Sequence, residues 1–205
     1  MQVKVELPDG SVMEVPAGSS VHDVAGLIGP GLAKATVAGE VDGVHVDQRL
    51  PIERDVKVRI ITKKDPEALH VLRHSAAHLM ANAVKNLRPE AQLGFGPAVE
   101  DGFFYDFDVE EPFSIDDFEA IEEEMARLVA GKIPYERFAV SREEASKLLD
   151  GMGEDLKVEH VSDIPDGEEL SFYRNEGFQD LCEGPHVRST GEIAAFKLLK
   201  TSSAY

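Results

Sequence analysis

A single cysteine, Cys182, in 205 residues excludes an internal disulfide. No apolar run approaches the length a bilayer span requires, and the amino terminus alternates polar and apolar residues where a signal peptide would be continuously apolar. These absences point to a reducing, cytoplasmic setting without a membrane partner. Basic side chains are also scarce: 21 Lys and Arg stand against 39 Asp and Glu, a net charge of −18. Nucleic-acid binding relies on cations that neutralise phosphates, so the balance taken alone argues against an RNA partner. The imbalance is local, however. Residues 1–64 carry 8 basic and 9 acidic side chains, and the stretch from Glu100 to Glu124 has no Lys or Arg at all. That stretch reads as a solvated acidic face, and Arg73, Lys85, Arg88, Lys197 and Lys200 leave room for a basic rim elsewhere.

With 42% hydrophobic residues the chain can fill a core, and its length suits two modest domains. The first sixty residues open with "VKVEL", the turn "PDG" and "VMEV", which together predict a hairpin. "VHDVAGLIG" follows as a short helix, with Ser20 as its cap and Gly29-Pro30 as its stop. "ATVAGEVDGVHVD" and "DVKVRIIT" supply further strands, so the order predicts a small mixed sheet with a helix across one face. His22 and His45 have no chemical companions there and read as structural or surface residues.

After the linker "KKDPEA", Asp65 as N-cap, Pro66 at the first helical position and Glu67 in the first turn predict a helix running to about Leu87. His70, His74 and His78 follow one another at intervals of four, which places them on one stripe of that helix. The small residues around them would pack on the other side, presenting His74 and His78 at the edge of the apolar face. A hundred residues later "CEGPH" supplies Cys182 and His186, again four apart, with Gly184-Pro185 between them excluding a regular helix. His74, His78, Cys182 and His186 form a credible tetrahedral zinc set. Cys182 beside an imidazole is equally a possible nucleophile, and the segment is also a stiff turn in its own right.

The first segment, with "LPDGS", resembles the TGS domain, a ubiquitin-like β-grasp module. H-x-x-x-H followed by C-x-G-P-H, together with "GFGPAVEDGFFYDFD", "DLCEGPH" and the closing "FKLLKTSSAY", resembles the second additional domain of threonyl-tRNA synthetases, which is related to alanyl-tRNA editing domains. The resemblance implies an α+β chain: a β-grasp domain over residues 1–63, then a larger α+β editing domain over 64–205 with a mainly antiparallel sheet and a long helix bearing HxxxH. The class II catalytic core and the anticodon-binding domain would be absent, and with them any use of ATP, magnesium or the zinc of that core.

What the resemblance implies for function is hydrolysis of Ser-tRNA(Thr), with the serine-bearing acceptor end of tRNA(Thr) as partner. The remainder of the synthetase would be the other partner, in a full-length homodimer. His74 and His186 are the candidates for water activation or proton transfer, with His78 and Cys182 shaping the pocket. By motif match, Asp180 would hold the substrate α-amino group, Lys157 would donate to developing charge, and Tyr105 would touch substrate. His70 lies outside the family pattern and reads as a rim residue. In alanyl-type relatives the corresponding cluster holds zinc; the threonyl type implies water-mediated hydrolysis with no metal required. The residues themselves leave room for zinc or for a non-catalytic tRNA-binding or partner-binding module built on a structural zinc site.

Overall fold

The computed structural model of the chain describes residues 1–202 apart from 166 and 168; the last three letters of the closing motif lie outside the described residues. The chain divides into two compact units, Met1–Leu72 with Gly184–Arg188, and Arg73–Glu183 with the described residues from Ser189 onward.

In the first unit, β1 (Gln2–Glu6) and β2 (Val12–Pro16) form the predicted hairpin. The two-residue strand β3 (Ser19–Ser20) leads into helix α1 (Val21–Ile28), where Ser20 and Asp23 form a reciprocal capping box. Gly29-Pro30 breaks the chain as predicted, but Pro30 then occupies the first position of a second short helix, α2 (Pro30–Ala35). A missing N–H costs nothing there, so one dipeptide both stops and starts a helix. β4 (Thr36–Val41), β5 (Val44–Asp47), β6 (Pro51–Ile52) and β7 (Val56–Thr62) complete the unit.

The main sheet runs β2-β1-β7-β4-β5, with β1 and β7 parallel and the other neighbours antiparallel. Val3, Val5, Val15, Val56 and Val58 meet Val21 and Val24 of α1 in one apolar cluster, the helix-across-sheet arrangement of a β-grasp. Gly39 permits that approach: a Cβ on it would lie 2.6 Å from a Val21 methyl. His22 has the structural role expected of it, its Nδ1 3.1 Å from Oε1 of the buried Gln48, whose amide donates to the carbonyls of Thr36 and Val37. His45 is exposed, 3.6 Å from Glu40.

Helix α3 (Pro66–Leu87) has the predicted span. Asp65 precedes it, but its Oδ2 turns back to accept from the backbone N–H and hydroxyl of Thr62, closing the strand-to-helix turn. Arg59 of β7 pairs with Glu67 in the first turn at 2.7 Å.

The second unit builds around the rest of α3. Two small antiparallel ladders follow, β8 (Gln92–Leu93) with β11 (Phe107–Asp108), and β9 (Ala98–Val99) with β10 (Gly102–Phe103). Then come α4 (Phe118–Gly131), β12 (Glu136–Val140), α5 (Arg142–Met152), α6 (Asp155–Asp163), β13 (Leu170–Asn175) and β14 (Phe178–Leu181). The last strands form an antiparallel sheet β12-β13-β14, against which α5 and α6 bury Ala145, Leu149 and Val161 over Leu170 and Phe172. Every strand pair in this unit is antiparallel.

The capping box of α1 generates a prediction. Hydrogen bonds from Ser20 hold the Asp23 carboxyl below its usual value. Stabilisation from a lowered carboxyl is complete above the unfolded value near 4 and is lost as pH falls through the folded one. Ser20→Ala should cost about 1 kcal/mol at pH 7, and thermal melts of the variant and its parent should converge as the pH drops below 4.

Candidate active site

Alternation along β14 places Phe178 and Asp180 on the same buried face. A carboxylate on an apolar face needs partners, because desolvation strongly disfavours an isolated charge. Asp180, 1% exposed, has them: Nζ of Lys157 lies 2.7 Å from Oδ1, and the Tyr105 hydroxyl donates to Oδ2 at 2.5 Å. Lys157 is itself buried on α6, with its ammonium also 3.4 Å from the Leu181 carbonyl. Burial, reinforced by Asp180, pushes the Tyr105 phenol well above its ordinary value, so at neutral pH it is a fixed donor.

His78 of α3 comes next to this pair, its Nδ1 3.5 Å from Asp180 Oδ2. The sequence predicted His78 at the edge of an apolar face; it is 4% exposed instead. The reason is that α3 is covered on most sides from Ser75 to Val84, with Ala77 and Ala81 packed among Leu93, Tyr105 and Phe178, and with the buried Tyr135 donating to the Ser75 carbonyl. Desolvation, and secondarily the neighbouring His74 and Lys157, hold the His78 imidazole well below its usual value, so it is neutral at pH 7.

His74, one turn earlier and half-buried, stacks edge-on against His78 with ring centroids 5.0 Å apart. Its Nε2 lies 3.2 Å from Cys182 Sγ. Cys182 follows β14 directly and is fixed by two bonds to Ser171 of β13, through its own N–H and through its carbonyl. Ligand atoms of His74, His78 and Cys182 fall within 4.8 Å of one another, three donors able to hold a metal ion. That donor set and spacing fit zinc. His186 is buried after a cis Gly184-Pro185 bond, its backbone N–H donating to Asp47 at 2.8 Å. His70 is exposed on α3.

Two comparisons with known proteins bear on this geometry. Residues 3–62 match the TGS domain, and residues 170–204 match the second additional domain of threonyl and alanyl tRNA synthetases. Threonine–tRNA ligases from Laribacter hongkongensis and Pelobacter propionicus are each 51% identical to the chain over 98% and 99% of its length, and that of Acetivibrio thermocellus is 46% identical over 99%. The chain spans 32% of the length of these curated relatives. It is similar throughout to the N-terminal region of threonine–tRNA ligase.

The threonyl-tRNA synthetase-like motif "GFGPAVEDGFFYD" also holds residues whose role the sequence alone did not disclose. Gly96 lies against the Tyr105 ring so closely that a Cβ would sit 2.0 Å from a ring carbon, and a Cβ on Gly94 would meet the Asp106 carbonyl at 2.8 Å. Both glycines let the Gly94–Gly96 strip lie flat against the segment between β10 and β11 that carries Tyr105. Between them Phe95 is 45% exposed, its ring 5.2 Å from Lys157 Nζ and edge-on to His160 at 4.7 Å. The backbone-hugging glycines were visible as letters, but glycine identity does not say what approaches it. Gly96→Ala should displace Tyr105 from Asp180 and cost about 1–3 kcal/mol by overpacking. A lowered melting temperature together with shifted Tyr105 ring resonances would register both effects.

Proposed function

We propose that the chain hydrolyses the ester of serine misattached to tRNA(Thr) and spares the threonyl ester, acting in the cytoplasm as the editing part of a threonyl-tRNA synthetase. The observation that carries this reading is the buried Asp180–Lys157–Tyr105 cluster beside His78. It offers a carboxylate, a cation, a fixed phenol donor and a neutral imidazole within one small volume. Similarity to threonine–tRNA ligases over nearly the whole chain supports the choice of substrate. We place the boundary between a TGS-like domain and the editing domain at residues 63/64.

Ester hydrolysis needs a positioned water, donors for the tetrahedral oxyanion and a proton for the leaving ribose oxygen. A carboxylate can accept about four hydrogen bonds. With Lys157 on one oxygen and Tyr105 on the other, Asp180 keeps acceptor capacity for the substrate α-amino group while its charge stays stabilised. Lys157 is ion-paired with Asp180 at 2.7 Å and donates to the Leu181 carbonyl at 3.4 Å, and we assign a further N–H to the developing oxyanion. The half-buried His74 and, by its place in the C-x-G-P-H motif, His186 carry the proton transfers. His78, held neutral, and Cys182 shape the pocket.

One methyl group in a pocket is worth only about 1–3 kcal/mol in binding, which is why a second sieve is required. Here the threonine methyl would be rejected by contact, or by displacing the water. If zinc were held by His74, His78, Cys182 and His186, it would supply Lewis acidity; four protein ligands close its coordination shell, and we propose hydrolysis without an essential metal. The clustered donors His74, His78 and Cys182 favour a second reading, a non-catalytic tRNA-binding or partner-binding module with structural zinc.

Purified protein incubated with Ser-tRNA(Thr) should release serine, with Thr-tRNA(Thr) turned over far more slowly and activity unchanged by a strong chelator. Full activity in the His74→Ala/His186→Ala variant would overturn the assignment of proton transfer. One equivalent of bound zinc, unfolding on chelation and no deacylation would establish the second reading. Phe95→Ala should raise KM by about tenfold with little change in kcat, because an exposed ring beside the site offers a stacking face for the terminal base. An unchanged KM would remove Phe95 from the substrate path.

A further inference from the structure

Glu154 is 1% exposed, yet it forms no part of the cluster described above. It occupies the N-cap position of α6 without using its side chain as a cap. Its carbonyl instead accepts the N–H groups of Lys157 and Val158 at 3.0 and 3.1 Å, opening the turn that carries Lys157. The side chain points away, to two other elements. Oε1 lies 2.8 Å from Nζ of Lys85 on α3, and Oε2 accepts the backbone N–H of Leu93 on β8 at 2.5 Å.

Lys85 is fully committed at this junction, since its ammonium also donates to the carbonyls of Pro89 and Ala91, both at 2.9 Å. The strip that β8 leads into, Gly94–Gly96, is the one against which the Tyr105 ring is seated. One buried carboxylate therefore joins the helix of His74 and His78, the helix of Lys157 and the backing strip of Tyr105. The helix start and the strand pairing do not themselves require it, since α6 could be capped by a serine and β8 is paired with β11; what it satisfies is the buried Leu93 N–H and the Lys85 ammonium.

We propose that Glu154 is a positioning residue for the hydrolytic site, setting the Tyr105–Asp180–Lys157 geometry through its bond to the Leu93 N–H. The proposal rests on the hydrolysis reading above for its kinetic consequence and on the structure alone for its geometric one. It assigns Glu154 no contact with substrate. Its effect on rate comes from fixing the backing strip, since displacement of about 1 Å in a site can cost up to a hundredfold in turnover.

The test compares two charge-neutral double variants that differ in whether an acceptor faces Leu93. Lys85→Met/Glu154→Gln keeps an amide oxygen for the Leu93 N–H; Lys85→Met/Glu154→Met removes it. Exchanging a buried ion pair for neutral side chains of similar volume is commonly tolerated, so both should fold. The Gln double should retain kcat for Ser-tRNA(Thr) within about threefold, while the Met double should lose about tenfold or more in kcat at nearly constant KM. Amide exchange at Leu93 should accelerate and the Tyr105 ring resonances should shift in the Met double only.

Equal kcat in the two doubles, both folded, would overturn the proposal and leave Glu154 a purely structural residue. If the Met double does not fold, Glu154→Asp is the second arm. It keeps the charge near Lys85 but withdraws the acceptor from Leu93 by one methylene, and the same loss of kcat is expected, with wild-type kcat counting against the proposal. If the wild-type protein itself does not release serine, the hydrolysis reading fails, and the Leu93 exchange and Tyr105 resonances decide the positioning role by themselves. Unshifted Tyr105 resonances in the Met double would then reject it.

Discussion

The constraint on which the second unit depends is the burial of the Asp180 carboxylate. A charge 1% exposed on the inner face of a strand is tolerable only if its environment is built for it. Here that environment comes from three separate elements: Lys157 on α6, Tyr105 from the segment between β10 and β11, and His78 on α3. None of these side chains is buried for its own sake. Lys157 would be expelled to water without a counter-ion, and Tyr105 would need some other acceptor for its hydroxyl. The carboxylate, the ammonium and the phenol are therefore mutually conditional, and each fixes where the next element must pass.

That mutual dependence also sets the chemistry. A phenol held protonated and an imidazole held neutral give the pocket donors and acceptors that do not change across the physiological range. His74, half-buried at the edge of the cluster, is the less buried of the two stacked imidazoles. Cys182 faces His74 at 3.2 Å, which would suit a nucleophile and its base. Two bonds to Ser171, however, immobilise the Cys182 backbone on β13.

Much of the fold was legible because local rules and tertiary structure agree. Ser20 with Asp23, Pro66 with Glu67, and the PDG turn each carry their structural consequence within four residues. Departures occur where one residue serves two neighbours. Pro30 both ends and begins a helix, and Asp65 turns from the helix it precedes to the strand behind it. For the candidate site, the spacing of His74 and His78 placed both on one stripe of α3, while the depth of His78 was hidden. Helical periodicity says which side chains share a stripe; it does not say how many other elements will cover that stripe. Glu154 was hidden for a related reason. In a chain with 39 acidic residues nothing local separates a buried carboxylate from a solvated one, and its partners lie 69 and 61 residues away.

The strongly acidic composition takes on a different meaning beside this geometry. Net charge acts over distances comparable to the screening length, about 8–10 Å at ordinary ionic strength, and so governs how a polyanion approaches the surface. It has little say within a pocket whose own charges are paired and desolvated. Asp180 is neutralised at contact distance by Lys157, so the local field at the cluster is that of an ion pair and its donors, and the distant carboxylates add little. An acidic exterior would weaken contacts along a nucleic-acid backbone while leaving the paired charges inside the cluster undisturbed.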